Sequence, residues 1–249
     1  MSNITKVDDK ALAALAGFDD SEFVDNTGSA APSFTTYSVN LAGFMDGDDN
    51  CVSELQGYTV HTRRQVALWL SPDAGQPALT SFDGEKWDRW DEDQLRDIQD
   101  EEAYKVPVDE SPYMQWNKDP ETGKSVKGKI IGDTVLGAKE TYVFYILVPG
   151  EDLPVALKIP AGSFRKLKAY KKDLAKLKAT LPKVQTKFTI KPEKGGRNTY
   201  ATVEFELAGV CQSKDEWDAI TTCAKLTRET LAGVVQTQTE AADGDNPPF

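Results

Sequence analysis

Histidine and cysteine are scarce in this chain of 249 residues, and their scarcity narrows the chemistry it can perform. His61 is the only histidine, and no cysteine or serine motif suited to nucleophilic catalysis stands beside it. The three cysteines, Cys51, Cys211 and Cys223, are widely spaced and odd in number. This usage indicates a reducing compartment rather than a disulfide framework.

Long apolar runs are also missing. The longest candidate covers residues 142–148, well short of the roughly 18 residues that cross a bilayer. The first 20 residues contain Asp8, Asp9, Asp19 and Asp20 and lack the basic and then apolar segments of a signal peptide. We therefore expect no membrane partner and a cytoplasmic location.

Motifs for catalysis are lacking too. Residues 122–125, Thr-Gly-Lys-Ser, end like a phosphate-binding P-loop, but Lys118 stands where the first glycine belongs and no strand precedes it. Acidic residues are plentiful, yet no pair is singled out by its spacing for acid–base work. We predict a protein that is not an enzyme and that has no catalytic residues and no cofactor.

Charge, in contrast, is abundant and segregated. The chain has a formal net charge of −11, which argues at first against a nucleic-acid partner. Residues 118–201, however, contain 16 Lys and 2 Arg against 4 Asp and 4 Glu, a net +10 that leaves −21 for the remainder. A basic block between acidic flanks is the pattern expected if the block binds a polyanion.

Hydrophobic periodicity predicts a β-rich chain with three helices. Strand patterns cover residues 34–41, 65–70, 141–148, 153–159, 184–190 and 199–207. Helical patterns cover 88–101, with Trp87 and Trp90 on one face, 164–179, and 214–234 after the N-cap Ser213. Residues 106–128, rich in Pro, Gly, Asp and Lys, predict a long irregular excursion.

Short strands, an intervening helix and loops of unequal length are typical of a small, partly open β-barrel of the OB type. We predict a β-rich α+β fold in three parts. They are a partly flexible N-terminal segment over 1–30, an OB-like domain with added helices over 31–235, and a disordered acidic tail over 236–249. The tail has too little hydrophobic surface to offset the entropy of ordering it.

Single-strand binders on this scaffold combine a cationic groove with exposed aromatic rings on which bases stack. Aromatic residues close together on a strand cannot all face inward, so we predict stacking by Tyr113, Trp116, Tyr142 and Tyr200. The predicted phosphate-binding residues are Lys124, Lys127, Lys129, Lys158, Arg165, Lys166, Lys168, Lys171, Lys172, Lys187, Lys194 and Arg197. The alternatives stay open that the lysine-rich helix face is only solvated and that each aromatic is a core residue.

The end of the chain has the features of a docking peptide. In residues 245–249, Asp-Asn-Pro-Pro-Phe, an aromatic ring could enter an apolar pocket while nearby carboxylates meet Arg or Lys at its rim. This tip resembles that of bacterial single-stranded DNA-binding proteins, which end in acidic residues, an apolar residue, Pro and Phe. Here Pro247 takes the apolar position and Asn246 replaces an acid. The resemblance implies recruitment of replication or repair proteins through Asp243, Asp245, Pro247, Pro248 and Phe249.

Roughly residues 30–210 resemble phage-encoded proteins that carry single-stranded DNA-binding domains. The likeness rests on the order of residues 111–116 (SPYMQW), 127–129 (KGK), a strand and hairpin, 157–160 (LKIP) and the basic helix. In those relatives a C-x-x-C-P segment before the Trp resembles a metal knuckle. Val108 and Ser111 stand at its two cysteine positions here, and without thiolates a tetrahedral zinc site cannot be built, so we expect no metal.

These features predict a phage-encoded protein, acting in the host cytoplasm, that binds and protects single-stranded DNA during replication, recombination or repair. Two alternatives stay open. One is an adaptor whose basic face binds an acidic protein, and the other is an RNA-binding module. Whether copies form a homo-oligomer is also left open by the sequence.

Overall fold

The computed structural model describes residues 34–71, 73–119, 122–151, 153–195 and 198–244, with side chains as far as Ala232. The chain divides into two compact units. The first unit consists of the described parts of Ala31–Thr62 and Tyr142–Leu231. The second consists of Arg63–Thr141 and the described part of Ala232–Phe249.

The described residues form fourteen strands and three α-helices. The strands are β1 Thr36–Val39, β2 Phe44–Met45, β3 Cys51–Val52, β4 Glu54–Leu68, β5 Leu79–Ser81, β6 Arg89–Trp90, β7 Trp116–Lys118, β8 Ser125–Lys127, β9 Lys129–Ile131, β10 Thr134–Leu136, β11 Lys139–Leu147, β12 Val155–Pro160, β13 Val184–Gly195 and β14 Asn198–Val210. The α-helices are α1 Glu92–Asp97, α2 Phe164–Lys176 and α3 Lys214–Gly244. Short 3-10 helices cover Ala103–Lys105, Val108–Glu110, Ala161–Ser163 and Leu181–Lys183.

Ten strands form one sheet that is curled into a half-barrel, which confirms the prediction of a β-rich fold. Its order is β14-β13-β4-β11-β12-β1-β2-β3, and β5 and β6 extend from β4. β1 and β12 are parallel, whereas β13 is antiparallel to both β14 and β4. Two separate hairpins, β7–β8 and β9–β10, complete the strands.

Aromatic side chains fill the core of the first unit. The rings of Phe144, Phe188 and Phe205 lie 5.8–6.4 Å apart, and Tyr170 of α2 stacks on Phe205 at 5.9 Å. The residues of β11 from Val143 to Leu147 are all buried. Phe144 and Tyr145 are both buried although they are neighbours on β11, whereas Tyr142, earlier on the same strand, is partly exposed.

Helix α2 covers the outer edge of β14. Ser163, just before the helix, accepts a hydrogen bond from the backbone N–H of Val203 at 2.9 Å. This bond satisfies a backbone group that an uncovered sheet edge would leave free to pair with another chain. Lys178, with φ +54°, ends the helix in a left-handed turn, and the next N–H, of Ala179, donates to the carbonyl of Leu174 at 3.0 Å.

The second unit has its own core, built around Leu68, Leu79, Trp87, Leu95 and Tyr113. The predicted helix over 88–101 is wrong in extent, because residues 89–90 pair with β5 and the Asp91 side chain caps a helix of only six residues. Trp87 and Trp90 do not share a face: Trp87 is buried and Trp90 is 42% exposed.

The segment 106–128 is more regular than expected. Its second half contains the β7–β8 hairpin, in which Trp116 pairs with Lys127 and Lys118 with Ser125. Each strand has only three residues, of which one is apolar, so they carry no apolar alternation from which a strand could be predicted.

Helix α3 begins where the sequence predicts. Ser213 accepts a hydrogen bond from the backbone N–H of Glu216 at 3.1 Å, which confirms it as the N-cap. The predicted acidic tail over 236–249 overlaps the end of this helix, but its side chains lie outside the described residues. Its disorder therefore stays a prediction.

Candidate nucleic-acid interface

The outer face of α2, in the first unit, carries a row of cations. Arg165, Lys168 and Lys172 are exposed and recur at steps of three and four residues, which places them on one side of the helix. The other side packs through three buried residues, Leu167, Tyr170 and Leu174. Within the described residues none of these three cations forms an ion pair. We call Arg165, Lys168 and Lys172 the α2 cations.

Tyr200 presents an aromatic ring near the start of β14. It is 42% exposed, and its hydroxyl donates a hydrogen bond to Glu193 Oε2 at 3.4 Å. A Cβ atom on Gly195 would lie 2.9 Å from the ring atom Cε1, and one on Gly162 would lie 3.3 Å from Cε2. The ring therefore lies against two residues that have no side chain to cover it.

Lys166, on α2, is held by ion pairs with residues of β13 and β14. Its Nζ lies 2.5 Å from Glu193 Oε1 and 2.8 Å from Glu204 Oε1, and it donates a hydrogen bond to Thr202 Oγ1 at 2.6 Å. Burial alone would lower the pKa of Lys166, but the two carboxylates outweigh burial and raise it. Lys166 and Tyr200 thus meet at Glu193, and the charge of Lys166 is already neutralised.

The other predicted cations of the first unit differ in surroundings. Lys187 lies 2.6 Å from Glu54 Oε2, whereas Lys158 and Lys194 are exposed and form no ion pair within the described residues. Lys171 is partly exposed and lines a pocket between α2 and β4. Lys158 and Lys194 therefore resemble the α2 cations in being free to meet a phosphate.

Lys127, in the second unit, belongs to an ion-pair network. Its Nζ lies 2.7 Å from Glu140 Oε2, while Arg64 binds Glu140 Oε1 at 2.7 Å and Asp109 at 2.8 Å. Burial alone would raise the pKa of Glu140, but its hydrogen bonds to Lys127 and Arg64 and their charges lower it. The charge of Lys127 is therefore already balanced by a carboxylate of the second unit.

Tyr113 is fully buried and therefore does not fit the predicted stacking role. Its hydroxyl donates a hydrogen bond to Asp100 Oδ2 at 2.7 Å, and Lys129 Nζ lies 2.6 Å from the same oxygen. Burial first and then Asp100 raise the pKa of Tyr113. Tyr113 and Lys129 therefore share the partly buried carboxylate of Asp100, and both are already engaged within the second unit.

The β7–β8 hairpin exposes two of the predicted binding residues, Trp116 and Lys124. Trp116, on β7, is 70% exposed, the largest exposed fraction among the large hydrophobic residues that the structure describes. Lys124, in the connection to β8, is also exposed and has no ion pair within the described residues. This hairpin therefore combines an accessible indole with a cation.

Tyr142, the remaining predicted stacking residue, is only partly accessible. Its ring lies 4.7 Å from that of Phe164 and is only partly exposed. The ring therefore has less free surface for a base than Tyr200 has.

Trp90 is an aromatic that the sequence did not single out for binding. Its ring stacks on Tyr104 at 4.2 Å with an interplanar angle of 6°, and it borders a pocket of about 440 Å³ with Phe82 and Arg89. An aromatic residue among charged neighbours could have indicated its exposure, but Trp87 stands in the same charged segment and is buried.

The structure describes no side chain for six of the predicted residues, which are Arg197, Asp243, Asp245, Pro247, Pro248 and Phe249. Among the described residues no group of three or more His, Cys, Asp or Glu side chains could hold a metal ion. None of the helices in that part of the chain is long and apolar enough to cross a membrane.

Comparison with protein families, with curated proteins and with solved structures finds no match to this chain.

Proposed function

We propose that this protein binds single-stranded DNA, without catalysis, on an OB-like partly open β-barrel. The observation that carries the proposal is that an accessible aromatic ring, Tyr200, and the unpaired α2 cations belong to the same unit. Tyr200 borders the turn that leads into α2, and the α2 cations follow within ten residues of Gly162. Lys158 and Lys194 add further charge that no acid neutralises within the described residues.

Single-stranded rather than double-stranded DNA suits these groups. A base exposes its faces for stacking only when it is unpaired, and stacking on an aromatic ring contributes ~1–3 kcal/mol per base. Tyr200 in the first unit and Trp116 in the second are the most accessible predicted rings. The phosphates would contact the α2 cations, with release of counterions.

The tail of residues 236–249 is proposed to recruit replication or repair proteins, through Asp243, Asp245 and Phe249. The support is its resemblance to the tip of bacterial single-stranded DNA-binding proteins. An acidic tail also competes with DNA for cations in the free protein. Deletion of residues 243–249 is expected to leave DNA affinity unchanged or higher and to abolish partner recruitment. Weaker DNA binding after the deletion would contradict this role.

The same resemblances support a phage-encoded protein that works in the cytoplasm of the host cell. There it would protect single strands during replication, recombination or repair.

Titration of tryptophan fluorescence tests the proposal. Oligo-dT and a duplex of equal length are added at about 50 mM and about 200 mM salt, a range over which phosphate contacts weaken steeply. We expect quenching by oligo-dT that is stronger than by duplex and that falls at the higher salt. Absence of binding at the lower salt would overturn the proposal and favour the adaptor, whereas a clear preference for oligo-U would assign the site to RNA.

A further inference from the structure

The second unit contains an acidic segment whose charge is opposite to that of α2. Residues 71–110 contain 8 Asp and 5 Glu against 2 Lys and 2 Arg, a net −9. Two of the four cations already lie beside acids of the same segment, Lys86 at 3.9 Å from Asp88 Oδ1 and Arg96 at 3.0 Å from Asp93 Oδ1. Such a surface attracts a cationic partner and repels a nucleic acid.

A pocket of about 440 Å³ opens in this segment, around β5 and β6. Its lining includes Pro77 and Phe82 on either side of β5, Trp90 from β6, and Asp91 directly after β6. Arg89 also lines the pocket, but its guanidinium carbon lies 5.1 Å from the centre of the Phe82 ring, on its face. The pocket therefore combines aromatic surface with a carboxylate.

Trp90 offers this pocket an aromatic face. The ring is 42% exposed and stacks on Tyr104 at 4.2 Å with an interplanar angle of 6°, so one face is covered and the other is accessible. Phe82 and Tyr104 each have a cation over the ring, Arg89 at 5.1 Å and Lys105 at 5.9 Å, whereas none lies over Trp90 within the described residues. Tryptophan is the side chain whose ring attracts cations most strongly.

The carboxylate of Asp91 follows this ring in sequence and carries an unbalanced charge. Its Oδ1 accepts a hydrogen bond from the backbone N–H of Gln94 at 3.0 Å, and its Oδ2 accepts one from Gln76 Nε2 at 2.7 Å in an exposed contact. These hydrogen bonds, that of the Gln94 N–H foremost, lower the pKa of Asp91 and keep it ionised at neutral pH. Both donors are neutral amides, so they do not offset its charge.

We propose that this pocket receives an arginine side chain from a basic segment of another protein. A guanidinium is planar, so it can stack on the free face of Trp90 while its N–H groups bind a carboxylate such as that of Asp91. The net −9 of residues 71–110 favours the approach of a basic segment. A base could stack on the same ring, but its phosphates would meet this negative charge. The inference goes beyond the proposed DNA binding and does not depend on it.

Binding of defined peptides tests the pocket. The probe is a labelled hexapeptide that alternates arginine and serine, and its control has citrulline, which keeps the shape of arginine without the charge. Anisotropy is measured at about 0.1 M salt, where charges more than ~10 Å apart are largely screened. We expect the wild type to bind the arginine peptide and not the citrulline peptide. Trp90→Leu, which removes the ring but stays apolar, should weaken binding about fivefold.

Matched variants separate the pocket from the acidic surface in general. Asp91→Asn removes one negative charge but keeps a side chain that caps a helix well, and it should weaken peptide binding about fivefold. Asp97→Asn removes the same charge at the other end of α1, outside the pocket lining, and should change affinity less than about twofold. Trp90→Phe restores an aromatic face and should recover most of the affinity that Trp90→Leu loses. Urea denaturation checks that each variant is folded.

The other outcomes count against the inference. Equal binding of the two peptides would overturn it, as would equal losses in Asp91→Asn and Asp97→Asn with no effect of Trp90→Leu. Lower oligo-dT affinity in Trp90→Leu with unchanged peptide binding would assign the ring to a base instead. Self-association of the wild type in sedimentation velocity that Trp90→Leu abolishes would assign the pocket to a second copy of the chain. A protein that binds the arginine peptide as expected but no oligonucleotide would overturn the proposed function alone.

Discussion

The α2 cations and the lysines Lys127 and Lys129 come from one basic block but have opposite surroundings. In the second unit Lys127 lies 2.7 Å from Glu140 and Lys129 lies 2.6 Å from Asp100. In the first unit the α2 cations point away from the buried face of their helix and meet no carboxylate within the described residues.

The difference teaches that net charge along a sequence does not measure the charge available to a ligand. A lysine already paired with a carboxylate must exchange that partner for a phosphate, so it contributes little new attraction. An exposed lysine without a partner loses only its hydration and counterions. The +10 of residues 118–201 therefore overstates the positive charge that a nucleic acid would meet.

The largest expected effect comes from removing the α2 cations. The triple variant Arg165→Ala, Lys168→Ala, Lys172→Ala should bind oligo-dT on the order of 100-fold more weakly at 0.1 M salt, because about three phosphate contacts are lost. Its unfolding free energy should be unchanged. Anisotropy of a labelled oligonucleotide and urea denaturation measure the two quantities.

Substitution of the paired lysine Lys127 should have the reverse effect, on stability rather than on affinity. Lys127→Ala should lower the unfolding free energy, since it leaves Glu140 without one of its two partners, and should leave affinity within about threefold of wild type. The comparison fails if this variant weakens binding as strongly as the triple variant does.

The second comparison sets Trp116 against Tyr113. Trp116→Ala should lower affinity about tenfold with little change in stability, because an exposed indole is lost as a stacking surface. Tyr113→Phe should lower the unfolding free energy by about 1–2 kcal/mol, because the bond to Asp100 is lost, and should not change affinity. Affinity loss in Tyr113→Phe alone would reverse this assignment.

A further prediction concerns how the unfolding free energy depends on pH through Glu140. Its pKa in the folded protein lies below the usual 4.5, so its contribution to stability is present above pH 4.5 and is lost as the pH falls through the folded-state value. Glu140→Gln should therefore be less stable than wild type at pH 7, with a difference that shrinks below pH 4.5. Denaturant titrations on both sides of this pH measure it.

Asp93 supplies the control for this experiment. Its ion pair with Arg96 is highly exposed, with the Asp93 side chain 89% accessible, and exposed pairs contribute little. Asp93→Asn should lower the unfolding free energy at pH 7 by much less than Glu140→Gln does. Equal behaviour of the two variants would mean that the Glu140 network does not stabilise the second unit.

The smallest effect is expected at the end of α2. Lys178 has φ +54°, a conformation that is strained for a residue with a Cβ atom. Lys178→Gly should raise the unfolding free energy by about 1 kcal/mol, since glycine adopts this backbone without strain. Lys178→Ala removes the same charge but keeps the Cβ, so an equal gain in both variants would exclude backbone strain as the cause.

The regular parts of the fold could be predicted from local patterns. The apolar run over 141–148 corresponds to β11 at Lys139–Leu147, and the helical spacing from Phe164 corresponds to α2. In each case the signal is periodicity within one element. The short strands β7 and β8 escaped prediction because each has only three residues and only one of them is apolar.

The candidate site was only partly predictable, because pairing and burial depend on residues that are distant in sequence. Lys166 meets Glu193 and Glu204, and nothing in the spacing along the chain indicates these partners. Tyr113 and Trp116 lie three residues apart in an irregular segment, yet one is buried and the other exposed. Which cations and rings are available is a tertiary property.

The dependence of oligo-dT affinity on salt tests the central claim most directly. Plots of log K against log salt concentration are compared for the wild type, the triple variant of the α2 cations and Lys127→Ala. The account predicts that the triple variant reduces the slope by about 2, at ~0.7 per lost phosphate contact, while Lys127→Ala keeps the wild-type slope. Equal slopes for the wild type and the triple variant would contradict it.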